Sequence, residues 1–283
     1  MTYKEIIVVL DSEPRAGERI SIAAALAERF SARLVGLYIA VNLELPGRFG
    51  YFNIDAPLLR PVYRDMEALL QAQGEKTRAL FEEITGRRSV SAEWRQASGH
   101  PAELAAIHGR YADLIVLGQL DPDETLASLT RPRPEEVAML AGRPILVVPY
   151  AGAFSETGKR VLVGWDASRE ATRAVNDAMP LLAGASSVTV MTIDAAESFS
   201  GHGEAPGADI ALHLARHGVT ASVERNVSAG IGVGNALLSR ASDIGADLLV
   251  MGVYGHSRVR ELMLGGVTRT ILGTMTVPVL MSH

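Results

Sequence analysis

The chain has 283 residues, a formal charge of −5, 48% hydrophobic and 21% charged residues, and no cysteine. That apolar content suits packed cores and excludes disorder, the acidic balance argues against nucleic acid, which favours a basic footprint, and the lack of cysteine excludes disulfides, thiol catalysis and cysteine-ligated zinc. No apolar run approaches the roughly 20 residues that span a bilayer, and Glu5 interrupts the first apolar stretch, which reads as a strand and not as a signal peptide.

In chain order, apolar runs predict strands near 5–11, 34–40, 89–96, 112–118 and 144–149. Helical patterns near 17–30, 62–85, 101–110 and 134–141 separate them. A small, turn-prone linker, Ala151 to Gly158, follows. The alternation then restarts, with strands near 160–166, 187–193, 220–227, 246–252 and 277–282 and helices near 169–183, 206–217, 234–244 and 266–273. Strands that alternate with helices and lack a polar face imply parallel sheets covered on both sides. Each half is therefore expected to be a doubly wound α/β layer structure.

The halves repeat each other. Ile6-Ile7-Val8-Val9-Leu10-Asp11 matches Val161-Leu162-Val163-Gly164-Trp165-Asp166, 155 residues later. Ala112-Asp113-Leu114 through Gly118 matches Ala246-Asp247-Leu248 through Gly252, 134 residues later, and the same step carries Pro144 onto Pro278. The difference of 21 places an insertion in the first half, around Val41 to Tyr63, containing Pro46, Tyr51, Phe52, Pro57 and Pro61. Domains of 1–150, with that insertion near 41–63, and 159–283 follow.

The chemistry concentrates near the C-terminus. After the strand ending at Met251 come Gly252-Val253-Tyr254-Gly255 and, nine residues on, Gly265-Gly266-Val267-Thr268 at a helix start. Glycines permit positive φ and remove the Cβ that would hold a phosphate off the backbone, and a helix N-terminus attracts anions. The same spacing also suits ordinary turn and cap glycines. The first half has no such cradle: Gln119-Leu120-Asp121-Pro122-Asp123-Glu124 follows Gly118, and its carboxylates would repel a triphosphate.

This G-x-x-G-x9-G spacing, with the Val161-to-Asp166 strand and the closing Pro278-Val279-Leu280 strand, resembles the universal stress protein family. The resemblance implies two tandem doubly wound parallel five-stranded sheets of the adenine nucleotide alpha hydrolase-like type. It implies one ATP site in the C-terminal half, with Mg2+ as an optional companion, in a regulatory or stress-adaptation protein of the cytoplasm. Asp166 would accept hydrogen bonds from the ribose, and Ile193 would face adenine or simply fill the core. Met251, Gly252 and Gly255 would line ribose and phosphates with backbone, and Gly265, Gly266 and Val267 would hold the terminal phosphates.

ATP-binding members end the motif in Gly-Ser or Gly-Thr, whereas here it ends in Gly265-Gly266. One lost hydrogen bond to a charged group weakens binding by about ten- to a hundredfold. Thr268 or Ser257 is a candidate replacement hydroxyl, and Arg258 and Arg260 are candidate phosphate contacts or solvated loop residues. The halves are expected to form an internal pseudo-dimer through their last strands, since unpaired edges are normally covered, and two chains to associate through Tyr51 and Phe52. The protein partners are not named by the sequence.

The competing readings are a partner-binding module with an empty glycine loop and an ATP-using enzyme. No nucleophile elbow or H-E-x-x-H pair is present, so no catalytic residue is assigned. Gly152 to Lys159 mimics a P-loop but precedes a strand, and Gly230-Ile231-Gly232-Val233-Gly234 reads as a βα turn. His213 and His217 have a metal-compatible spacing without a third ligand, so no metal is assigned.

Overall fold

The computed structural model describes residues 2–11, 15–40, 56–121, 131–195, 205–253 and 266–283. In the first half, β1 (Glu5–Leu10), β2 (Arg33–Ala40), β3 (Ala92–Ser98), β4 (Leu114–Gly118) and β5 (Ile145–Val148) alternate with α1 (Ala16–Phe30), α2 (Ala56–Arg87), α3 (Pro101–Gly109) and α4 (Pro134–Ala141). In the second, β6 (Arg160–Gly164), β7 (Ser187–Ile193), β8 (Ala221–Asn226), β9 (Leu248–Gly252) and β10 (Val279–Ser282) alternate with α5 (Arg169–Leu182), α6 (Ala208–Arg216), α7 (Val233–Asp243) and α8 (Val267–Thr274).

Each half contributes five parallel strands, and the two sets are continuous: the order is β3-β2-β1-β4-β5-β10-β9-β6-β7-β8. The junction is the antiparallel pair β5–β10, with Val147 opposite Val279, Leu146 opposite Leu280 and Ile145 opposite Met281. Two edges that would each expose unpaired backbone thus satisfy one another. Alternate residues feed opposite faces, as the strand period of two requires. Ile6, Val8, Val161, Val163 and Leu280 join one core layer. Ile7, Val9, Leu162, Leu249 and Val279 join the other. Both layers run through both halves.

Two repeated aspartates tie the strand starts. Asp113 accepts from the N–H groups of Lys4 and Glu5 at 2.7 and 3.0 Å. Asp247 accepts from those of Gly158, Lys159 and Arg160 at 2.8, 2.9 and 3.0 Å. The repeat that marks the halves in sequence therefore includes a hydrogen-bonding device, which orders the chain entering β1 and β6. Across the junction, the Tyr3 hydroxyl donates to the Asp177 carbonyl at 2.7 Å, and burial pushes its pKa far up.

Helix α2 starts at Ala56, ahead of the expected 62, and runs for 32 residues. Pro57 lies in its first turn, where a backbone N–H has no helical acceptor, so proline is tolerated there. Residues 41–55 of the insertion, including Tyr51 and Phe52, lie outside the described residues.

Candidate functional site

Strand order reverses between β6 and β9 in the second half, and a doubly wound sheet opens its ligand crevice at such a point, beyond the carboxyl ends of the strands. Val161, Leu162 and Val163 pair with Leu248, Leu249 and Val250, so β6 and β9 run side by side to their ends at Gly164 and Gly252. Asp166 follows as an exposed residue. Its Oδ1 accepts from the Ser168 N–H at 3.0 Å, across Ala167 at φ 59°, and the Ser168 hydroxyl accepts from the Ala171 N–H at 3.0 Å to cap α5. A short polar turn therefore presents the Asp166 carboxylate at the crevice mouth.

Ile193 ends β7 half-buried against the core layer that contains Leu249 and Ile271. The next residue, Asp194, joins two strand ends: its Oδ1 accepts from the Ser228 N–H at 2.9 Å. Hydrogen bonds from Ser228 hold its carboxyl below the usual range. Met251 is 5% exposed, so it offers the crevice only backbone. Gly255 and Gly265 lie outside the described residues, as do Ser257, Arg258, Arg260 and Glu261.

Gly252 has a reason other than the one expected from sequence. A Cβ there would stand 2.5 Å from the Ala171 nitrogen and 2.6 Å from the Glu170 carbonyl carbon. The missing side chain admits the first turn of α5 against the end of β9. Glu170, which sequence reasoning did not single out, is 4% exposed at this contact and pairs with Arg169 at 2.9 Å. Gly266 is the residue before α8, without a side-chain cap, and its carbonyl accepts from the N–H groups of Arg269 and Thr270. The first N–H groups of such a helix have no intrahelical acceptor and point outward. Val267 is half-buried, and Thr268 is only 2% exposed, which removes it as a surface replacement for the missing hydroxyl.

The Gly230-to-Gly234 run divides its work. Gly230 and Gly232 both adopt φ 84°, as turn glycines do. A Cβ on Gly234 would meet Thr270 at 2.9 Å, so this glycine lets α7 approach α8 closely. The rings of His213 and His217 lie 4.7 Å apart at an interplanar angle of 54°, and among the described residues no group of three or more His, Cys, Asp or Glu could hold a metal ion.

The corresponding crevice of the first half, between β1 and β4, is filled by the protein. Arg19 binds Asp11 Oδ1 at 2.7 Å, and Arg131 binds Asp11 Oδ2 at 3.2 Å. Both guanidinium side chains are inside, 3% and 8% exposed. A Cβ added to Gly118, the repeat partner of Gly252, would lie 2.0 Å from an Arg19 nitrogen. Asp11 is therefore the acceptor of an internal cation cluster. The two halves share a fold, and among the described residues their switch points differ: two arginines bind Asp11 in one, while the first turn of α5 and an exposed aspartate stand at the other.

Residues 158–283 match the Universal stress protein family. A curated universal stress protein of Synechocystis sp. (strain ATCC 27184 / PCC 6803 / Kazusa) is 42% identical over 45 residues, which is 16% of this chain and 16% of that protein. Among solved structures, a universal stress protein from Archaeoglobus fulgidus DSM 4304 superposes with a TM-score of 0.74 at 16% identity, over 98% of this chain and 95% of the other. A functionally unknown protein from Pseudomonas aeruginosa PAO1 superposes with a TM-score of 0.55 at 15% identity, over 99% and 92%. At these identities the two structures establish likeness of fold. Among the described residues, no helix is long and apolar enough to cross a membrane.

Proposed function

Because this chain belongs, through residues 158–283, to the universal stress protein family, we propose that it is a regulatory protein holding one ATP in its C-terminal half. The observation that carries this reading is the asymmetry of the two switch points. Asp11 is tied to the inside arginines Arg19 and Arg131 in the first half, whereas its repeat partner Asp166 is exposed beside the ends of β6 and β9. An exposed carboxylate beside the strand ends is an acceptor of the kind that ribose hydroxyls seek. Ile193 supplies an apolar wall for adenine. The backbone at Met251 and Gly252 lines the ribose and phosphates together with Gly255, and Gly265, Gly266 and Val267 direct N–H groups to the terminal phosphates. Mg2+ is an optional companion of the ATP.

Native mass spectrometry of gently purified chain is expected to find one nucleotide per chain, and calorimetric titration a single site. Asp166→Ala removes charge-assisted hydrogen bonds and is expected to weaken binding by about ten- to a hundredfold. Two equivalent sites, or unchanged affinity in that variant, would refute the assignment.

The bound ATP serves as a ligand and not as a substrate for turnover. Phosphoryl transfer needs a positioned nucleophile and charge stabilisation that strengthens in the transition state. Neither is supplied by a cradle of backbone donors that serves the ground state. Turnover of about 1 per second or more, in the ordinary enzyme range, that vanished in Glu261→Gln would overturn this part.

A further inference from the structure

Gln119 follows the last residue of β4 and is 1% exposed. Its backbone N–H donates to the Val148 carbonyl at 2.8 Å. Its side chain spans the junction between the halves: Nε2 donates to the Leu272 carbonyl at 2.8 Å, and Oε1 accepts from the Tyr150 N–H at 3.1 Å. Leu272 lies in the last turn of α8, where carbonyls have no intrahelical donor. The first half therefore satisfies a terminal carbonyl of the helix that opens at Gly266.

The clamp works in one direction only. The repeat partner of Gln119 is Val253, whose N–H makes the same strand contact, to the Ser282 carbonyl at 2.9 Å. Its side chain is apolar and fully buried. A buried amide where the repeat has valine is costly unless every polar atom is bonded, and here both ends of the amide are. Helix α8 has eight residues, about 12 Å at 1.5 Å per residue. A body this short moves as a unit, so a displacement at Leu272 reaches the N–H groups after Gly266. Along β4, the residue before Gln119 is Gly118, the one covered by Arg19. The filled crevice of the first half and the clamp on α8 are therefore adjacent in the chain.

We propose that Gln119 is a positioning residue that sets the pose of α8, and so makes the nucleotide affinity of the C-terminal half depend on the N-terminal half. The proposal rests on the ATP reading above. The test uses the full chain, with ATP titration calorimetry and amide hydrogen exchange on α8. Gln119→Ala loses one neutral hydrogen bond to α8, and its affinity is expected to fall about two- to tenfold, with faster exchange in α8. Thr85→Val removes a buried hydroxyl bond to the Phe81 carbonyl, 2.8 Å long and far from the junction in sequence, and is expected to change neither readout.

Should Gln119→Ala fail to fold, Gln119→Glu at pH 8 keeps the size and the acceptor for Tyr150 while removing the donor to Leu272, with the same expected losses. Unchanged affinity in the folded Gln119 variant overturns the proposal, whether or not stability falls, and so does an equal affinity loss in Thr85→Val. A wild-type chain that binds no ATP in the same titration overturns the ATP reading itself, an outcome visible before any variant is compared.

Discussion

Replacing Asp11 with alanine is expected to lower the unfolding free energy by about 3–5 kcal/mol, the usual consequence of removing one partner from a buried ion pair. The measurement is the denaturant midpoint at an unchanged slope. Asp11 receives Arg19 from α1 at 2.7 Å and Arg131, which precedes α4, at 3.2 Å. The cluster thus joins elements on opposite faces of the sheet at the end of β1. Without the carboxylate, Arg19 and Arg131 each lose an ion-pair partner at an inside site, where a counter-charge counts more than at the surface.

A matched comparison sets the scale. Arg78 and Glu82 form a 2.9 Å pair one helical turn apart, with side chains 48% and 57% exposed. A solvated pair of this kind contributes little, so Glu82→Ala should barely move the midpoint. If the two variants behaved alike, Asp11 would not be what compensates Arg19 and Arg131, and the first-half crevice would owe its closure to shape alone.

The strands were legible in sequence because both faces of this sheet are covered. Runs such as Val161 to Val163 and Leu248 to Val250 have no polar face, and only a buried parallel strand accommodates them. Edge logic also pointed to pairing of the final strands, although the register of Val147 on Val279 depends on side chains 132 residues apart. Helix α2 was placed late because Pro57 and Pro61 look like breakers unless the helix start is known. Arg19 was missed for a related reason. On paper it is one arginine in the amphipathic pattern of α1; Asp11 reaches it through the turn from β1 into α1, and Arg131 only through the tertiary fold. The usable signal was the missing second glycine after Gly118, which argues against a phosphate cradle there but says nothing of a side chain filling the space. The opposite holds for the second-half phosphate loop. Its glycine spacing is a sequence observation, and of the motif glycines only Gly252 and Gly266 fall within the described residues.

Gly252→Val is expected to cost stability before it costs binding. In sequence the position suits a phosphate, yet the space a side chain would enter belongs to α5. The first added carbon would lie 2.5 Å from the Ala171 nitrogen, 2.6 Å from the Glu170 carbonyl carbon and 2.8 Å from the Glu170 Cβ. Two of these are backbone atoms of a helix start fixed by the Ser168 cap, so a rotamer change brings no relief. Overpacking of this kind costs about 1–3 kcal/mol and occasionally more. Gly252→Ala, which adds only that first carbon, should already lower the melting temperature of the nucleotide-free protein.

The distinction matters for reading ATP titrations. A loss of binding in Gly252→Val would follow from a displaced α5, and with it a displaced Asp166 turn, even if no phosphate ever approached Gly252. Asp166→Ala disturbs α5 less, because the Asp166 side chain is exposed and the Ser168 hydroxyl that caps α5 remains. The bond from the Ser168 N–H is lost, so stability must be measured beside affinity. Binding that fell in Asp166→Ala at unchanged stability would identify the carboxylate as a ligand contact. A Gly252→Ala protein with native stability and no ATP affinity would instead show that α5 yields readily and that the glycine serves the phosphates directly.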